Sequence, residues 1–232
     1  MYRLRSESKV VTRRGARELR IRGTFASYWK PGRVATGSVW DALAAPILAL
    51  PPARRRSLLL LGMGGGSAAR LARALAPRAR VVGVEIDPEV VRLARRWFDL
   101  DALGLEVAVA DARSYLARSR RRFDVILEDV FVGGSRDVHK PDWLPEPGLE
   151  LAFRRLAPGG ILASNALDEA PEVARALARR FPRVLAIGIE DYDNRVLVGG
   201  PGVLSARRLR AAVAASPVLG PTLPRLRFRT LC

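Results

Sequence analysis

From residue 57 onward, short apolar runs alternate with segments of helical spacing: SLLLL, a glycine cluster and SAARLARAL, then VVGVE and PEVVRLARRW, and so to residue 165. Repeated strand–helix units of this kind build a parallel sheet. Helices cover both faces of such a sheet, so its strands read as continuous apolar runs rather than as alternating ones. The predicted strands are Ser57–Leu61, Arg80–Glu85, Glu106–Ala110, Asp124–Glu128 and Ile161–Asn165. Asp87-Pro88 supplies an N-cap and first helical position, after which Val90, Ala94 and Trp97 share one face. LAPGG ends a later helix, and RVLAIGIE and NRVLVGG, separated only by DYD, predict an antiparallel pair at a sheet edge.

Residues 1–50 differ in character from 51–232. KVVTRRGARELRIRG reads as a hairpin turning at Arg14-Gly15, and SVWDALAAPILALPP as a helix ending at a proline pair. Together they predict a small hairpin-plus-helix cap on a main domain. The segment after Ser216, basic and proline-containing, is the one low-complexity candidate.

The longest apolar stretch, ALAAPILALPPA, is broken by Pro46 and is too short for a membrane helix, and MYRLRSESKVV lacks the apolar core of a leader. A cytoplasmic location away from membranes is therefore expected. Cys232 is the single cysteine of 232 residues and His139 the single histidine, so neither a disulfide framework nor a Cys/His metal site is expected. A lone loop histidine such as His139 reads as surface. The net charge of +17 is compatible with a nucleic-acid partner. It does not favour one, because the basic residues are nearly all arginine and run along the whole chain, with dense clusters only at Arg54–Arg56 and Arg118–Arg122.

A strand leading into Gly62-Met63-Gly64-Gly65-Gly66 and then a helix lets a ligand approach backbone closely. The dinucleotide fingerprint would need glycine at Ser67, and no Gly-Lys-Ser/Thr follows for a P-loop. Glu85 ends the next strand, where a carboxylate can accept ribose hydroxyls. Asp111 and Asp129 end the two strands after that. Carboxylates at consecutive carboxyl ends of parallel strands face the crevice where open sheets bind ligands.

The order GMGGG, VEID, DAR, ILEDVF, LAPGGILASN and a final strand pair resembles the class I S-adenosylmethionine-dependent methyltransferase fold. More narrowly it resembles the spermidine synthase (polyamine aminopropyltransferase) family, over roughly residues 10–200. The resemblance implies a Rossmann-like, mostly parallel seven-stranded sheet with a C-terminal antiparallel pair and a small N-terminal cap. It implies that Gly62, Gly64, Gly65 and Gly66 wrap the amino-acid end of a sulfonium nucleoside. Glu85 would then hold the ribose, Ile86 would pack on adenine, Asp111 and Ala112 would read its edge, and Asp129 would orient and deprotonate an attacking amine. Glu128 is turned away by strand alternation. Tyr28, Trp29 and Trp40 are candidates to line the acceptor pocket, with Asp41 as a polar contact. The resemblance also allows a homodimer.

Two departures from the family stand out. Its glycine motif carries an aspartate where this chain has Gly65, and a second aspartate three residues after the catalytic one where this chain has Val132. Losing one partner of a buried charge pair costs roughly 2–5 kcal/mol. Decarboxylated S-adenosylmethionine is a dication that needs acid, whereas the carboxylate of S-adenosylmethionine suits a bare glycine turn whose N–H groups and helix dipole favour an anion. The expected activity is therefore methyl transfer from S-adenosylmethionine to a small amine-like acceptor, without a metal. The alternatives are aminopropyl transfer from the decarboxylated nucleoside, and an inactive nucleoside- or RNA-binding protein.

Overall fold

The computed structural model describes residues 7–232; the first six residues of the expected cap lie outside them, as does that part of the N-terminus read for a leader. Strands β1 (Ser8–Arg13), β2 (Ala16–Ile21) and β3 (Thr24–Trp29) form an antiparallel meander rather than the expected two-stranded hairpin. Arg14-Gly15 and Arg22-Gly23 both turn with two consecutive residues at positive φ, as tight hairpin turns require. The second turn repeats the Arg-Gly chemistry of the first, which is the signal for the third strand.

Helix α1 (Val39–Ala44) continues as tighter 3-10 turns through Ala49. The alternating units follow: β4 (Ser57–Leu61), α2 (Ser67–Leu75), β5 (Arg80–Glu85), α3 (Pro88–Trp97), β6 (Glu106–Val109), α4 (Ala112–Arg118) and β7 (Phe123–Glu128). The chain ends with α5 (Gly148–Arg154), β8 (Leu156–Ala166), α6 (Ala170–Ala178), β9 (Arg183–Ile189), β10 (Arg195–Gly200), α7 (Ala206–Ala214) and β11 (Leu226–Thr230). The large sheet runs β11-β9-β10-β8-β7-β4-β5-β6, parallel from β8 to β6 and antiparallel beyond. The class is the expected one, with an eighth strand in place of seven. That strand comes from the segment read as a low-complexity tail. LRFRT alternates with period two, seating Leu226 in the core and turning Arg227 to solvent, and the prolines before it form a 3-10 turn over Gly220–Arg225.

Within β4, alternate leucines serve opposite faces. Leu58 and Leu60 pack with Leu43, Ile47, Leu71 and Ile187 under α1, α2 and α7, whereas Leu59 and Leu61 pack with Leu116, Ile126, Leu149 and Leu177 under α4, α5 and α6. The helix assigned from sequence to the N-terminal cap thus lies in the main core, with Leu43 and Ile47 fully buried. The meander makes a separate small core, Leu19 against Val90, Leu93 and Phe98 of the α3 region. Arg17 and Arg70 stack on Trp29 at 4.9 and 4.6 Å beside it. Among the described residues, no helix is long and apolar enough to cross a membrane.

Several arginines are engaged within the fold. Arg73 donates to the carbonyls of Leu103, Pro77, Ala79 and Gly104, Arg55 to those of Leu50 and Leu75, and Arg155 to those of Leu116 and Ala117. These carbonyls lie at helix ends and loops that lack intrahelical donors, and the guanidinium fork answers several at once.

Asp41 is fully buried and does not reach the ligand cleft, which corrects its expected role as a polar contact for the acceptor. Its Oδ1 accepts from the N–H and hydroxyl of Thr36 at 2.8 Å each, and its Oδ2 from Gly37 N–H and the Thr222 hydroxyl at 2.9 Å each. The carboxylate ties the loop before α1 to the turn before β11. Asp41→Ala strands these buried donors and is expected to cost about 3–5 kcal/mol, read as a fall in the urea midpoint at unchanged slope. A loss below about 1 kcal/mol would show that the carboxylate is not the tie.

Candidate active site

The carboxyl ends of β4, β5, β6 and β7 open into one cleft of about 430 Å³, roofed by the meander on one side and the segment 130–143 on the other. Gly62 sits at its floor with φ +77°, and a Cβ there would lie 2.5 Å from the carbonyl oxygen of Asp129. Only glycine fits at that distance.

The turn after Gly62 is internally satisfied. Gly62 and Met63 both donate to the Val84 carbonyl at 3.0 Å, Gly64 to Glu85 Oε2 at 2.8 Å, Gly65 to Ser27 Oγ at 2.7 Å and Gly66 to the Met63 carbonyl at 3.0 Å. The expectation of a bare turn offering free N–H donors to a carboxylate is therefore corrected: each of these five amides has a protein partner. The physical cause is β3, which lays buried Ser27 across the turn. A Cβ at Gly65 would fall 2.9 Å from the Ser27 Cβ, and one at Gly66 would fall 3.0 Å from Leu100. Gly65 and Gly66 face protein and do not line the cleft; Gly62 and Gly64 do.

Glu85, Ile86, Asp111 and Ala112 all border the cleft. Glu85 is 7 % exposed, and burial pushes its carboxyl up while the N–H groups of Gly64 and Asp87 pull it back. Each carboxylate oxygen takes one of those bonds and keeps a lone pair for a ligand hydroxyl. Ile86 is two-thirds exposed and presents an apolar wall. Asp111 N-caps α4 by accepting from Ser114 N–H at 2.8 Å, so its structural role and its place on the cleft coexist.

Asp129 is strongly perturbed by burial. Its Oδ2 accepts from Trp40 Nε1 at 3.0 Å and its Oδ1 from Asn165 Nδ2 at 2.7 Å, and Asn165 Oδ1 accepts in turn from Asn194 Nδ2 at 3.1 Å. Burial raises its pKa from 3.8 to about 6 against the lowering effects of Asn165, the Lys140 charge and Trp40, with Glu128 adding to the rise. A folded-state pKa above the unfolded value means that ionisation costs stability. For this shift the cost is about 3 kcal/mol, present in full above pH about 6 and absent below the unfolded pKa.

Asn165 and Asn194 were not singled out from sequence. The available signal was Asn165 ending an apolar strand beside the one that delivers Asp129; Asn194 lies in the short β9–β10 connection and gave none.

Glu128 is turned from the cleft, as strand alternation predicts, into a buried ion pair with Lys140 Nζ at 2.7 Å. It also accepts from the Ser164 hydroxyl and from Val130 N–H, while Lys140 donates to the Val130 carbonyl and lies 4.0 Å from the Phe131 ring centroid. The pair pins the segment that roofs the cleft.

Of the expected acceptor aromatics, Trp40 lines the cleft and Tyr28 and Trp29 do not. The backbone of Tyr28 is tied to Ser67, and Trp29 carries the arginine stack. Phe25 lines the cleft instead, in edge contact with Trp40 at 5.1 Å. His139 is exposed and pairs through its backbone with Val132.

The chain is similar to several known proteins. Residues 58–160 match a methyltransferase domain family. A probable polyamine aminopropyl transferase of Bifidobacterium longum is 36% identical over 132 residues, which are 56% of this chain and 28% of that protein. An eEF1A lysine and N-terminal methyltransferase of Danio rerio is 31% identical over 157 residues, 61% of this chain and 22% of that protein. The match thus spans less than a third of either relative's length. A probable spermidine synthase from Corynebacterium glutamicum superposes with a TM-score of 0.76, covering 97% of this chain and 88% of that one at 23% identity.

Trp40→Phe removes a donor that stabilises the Asp129 anion. The Asp129 pKa is expected to move further up, followed by NMR titration of its side-chain carboxyl carbon. A downward move would contradict the assigned hydrogen bond.

Proposed function

We propose that this spermidine-synthase-like protein of the class I methyltransferase fold transfers an alkyl group from a sulfonium nucleoside to an amine. The observation that carries the reading is the shared cleft. It has Glu85 and Asp111 at one side and a buried Asp129, held by Trp40 and Asn165, at the other. No Lys or Arg is among the described residues lining it, so its three carboxylates favour a cationic occupant.

The residues present fit such a nucleoside: Glu85 has lone pairs for ribose hydroxyls, Ile86 an apolar face for a base, and Gly62 and Gly64 allow close backbone approach. The sulfonium supplies a carbon already activated toward displacement. This chain's part is to orient the acceptor nitrogen in line with that carbon and to accept its proton at Asp129. A carboxyl with a pKa near 6 is ionised at neutral pH and still basic enough for the task.

Methyl transfer from S-adenosylmethionine is the reading we favour. Gly65 is hemmed in by Ser27, and Val132 stands on the cleft, so neither position brings an acid to a second ammonium. Aminopropyl transfer is the second reading. It is supported by the amides of residues 62–66, each of which already has a protein partner rather than being free for a donor carboxylate.

Calorimetry with S-adenosylmethionine, its decarboxylated form, methylthioadenosine and NAD tests the donor site, and the mass of an alkylated amine separates the two transfers. Glu85→Gln is expected to weaken nucleoside binding by about thirty-fold or more. Asp129→Asn should leave nucleoside binding nearly unchanged and lower kcat by about 10²–10⁴-fold. In the unsubstituted enzyme kcat/KM should rise with pH through about 6 as Asp129 ionises. If neither sulfonium nucleoside nor methylthioadenosine binds at millimolar concentration, the reading fails.

A further inference from the structure

Once Glu85, Ile86, Asp111 and Ala112 are given to the nucleoside, the rest of the cleft surrounds Asp129. The remaining lining includes Phe25, Val39, Trp40, Val132 and Tyr192, with the neutral polar side chains of Thr24, Asn165 and Asn194. The rings of Phe25 and Trp40 meet edge to face at 5.1 Å, and the Trp40 indole N–H is committed to Asp129, so what Trp40 offers an acceptor is ring rather than donor. Asp129 is the one carboxylate of this half among the described residues, and both hydrogen bonds it accepts come from neutral groups, Trp40 and Asn165.

These walls answer one positive charge. An ammonium at Asp129 completes a charge-assisted bond and can lie against an aromatic face. A second ammonium on the same short molecule would meet valines, rings and neutral polar groups with no counter-charge, and an ammonium drawn from water without a counter-charge is disfavoured. We infer that the acceptor is an amine with a single ammonium on an apolar stem, not a diamine or polyamine. The inference deepens the transfer reading and rests on it. A free alkylamine and a lysine side chain share this chemistry.

The test uses the full chain with whichever sulfonium donor calorimetry shows to bind. Hexylamine, 2-phenylethylamine and Nα-acetyl-lysine amide compete in one mixture with the straight-chain diamine of hexylamine's length, and products are followed by mass spectrometry. The expected result is a kcat/KM for hexylamine at least about tenfold above that for the diamine, a difference of about 1.4 kcal/mol. Preference for the acetyl-lysine amide over hexylamine would identify a polypeptide source, and the reverse a free amine. Val132 is 40% exposed on the cleft wall, so Val132→Asp is expected to fold and to shift the ratio toward the diamine by about tenfold. A bound donor with the diamine used as well as the monoamine overturns the inference alone, whereas a bound donor with no amine alkylated overturns the amine-transfer reading with it. A donor that does not bind removes the transfer reading and this inference together.

Discussion

The site depends on one close approach. At Gly62 the end of β4 comes so near to Asp129 that a methyl group would overlap the Asp129 carbonyl. The same few atoms knit three strands beyond their formal ends: Gly62 and Met63 donate to Val84 of β5, and Asp129 donates to Leu61 of β4 at 2.8 Å. Glu85 follows Val84 and Asp129 follows Glu128, so both acids take their positions from this junction. A bulkier residue at 62 would part β4 from β7 and move the two halves of the cleft relative to each other, leaving hydrophobic burial almost unaltered.

What sequence reasoning recovered is local. Strand ends, helix starts and the acids that close strands follow from short-range patterning, and β4 through β7 appeared almost residue for residue. What it missed depends on how distant segments meet. Gly65 looks like an open donor in GMGGG, yet β3 covers it from some forty positions away in sequence, through Ser27. Asp41 looks like a polar residue near a pocket, yet it is consumed by Thr36, Gly37 and Thr222. Tyr28 and Phe25 are both aromatic residues of one strand, and only the pleat and the bulge at Leu19/Arg20 decide which of them meets the ligand.

Two kinds of charge serve different ends here. Arginines such as Arg55, Arg73 and Arg155 close helix ends and loops while keeping their charge. The single buried lysine does something else. Paired with Glu128, it fastens the segment that follows β7 while sending a positive field toward Asp129, and Glu128 sends an opposing one. The neutral donors Trp40 and Asn165, more than the ion pair, hold the Asp129 anion in place, which leaves the cleft itself free of cations that would repel an ammonium.

The tie at Asp41 also bears on the order in which the cleft comes into being. Glu85 meets Gly64 across 21 positions, Trp40 meets Asp129 across 89, and Asp41 meets Thr222 across 181. Loop-closure entropy penalises these contacts in that sequence, and chains settle short-range contacts before long-range ones. The Glu85 side of the cleft can thus consolidate from neighbouring strand–helix units. The wall carrying Trp40 is adjacent to Asp41, which the C-terminal segment reaches through Thr222. The proposed nucleoside side of the cleft thus needs only near-neighbour contacts, whereas the proposed acceptor side draws on the far end of the chain.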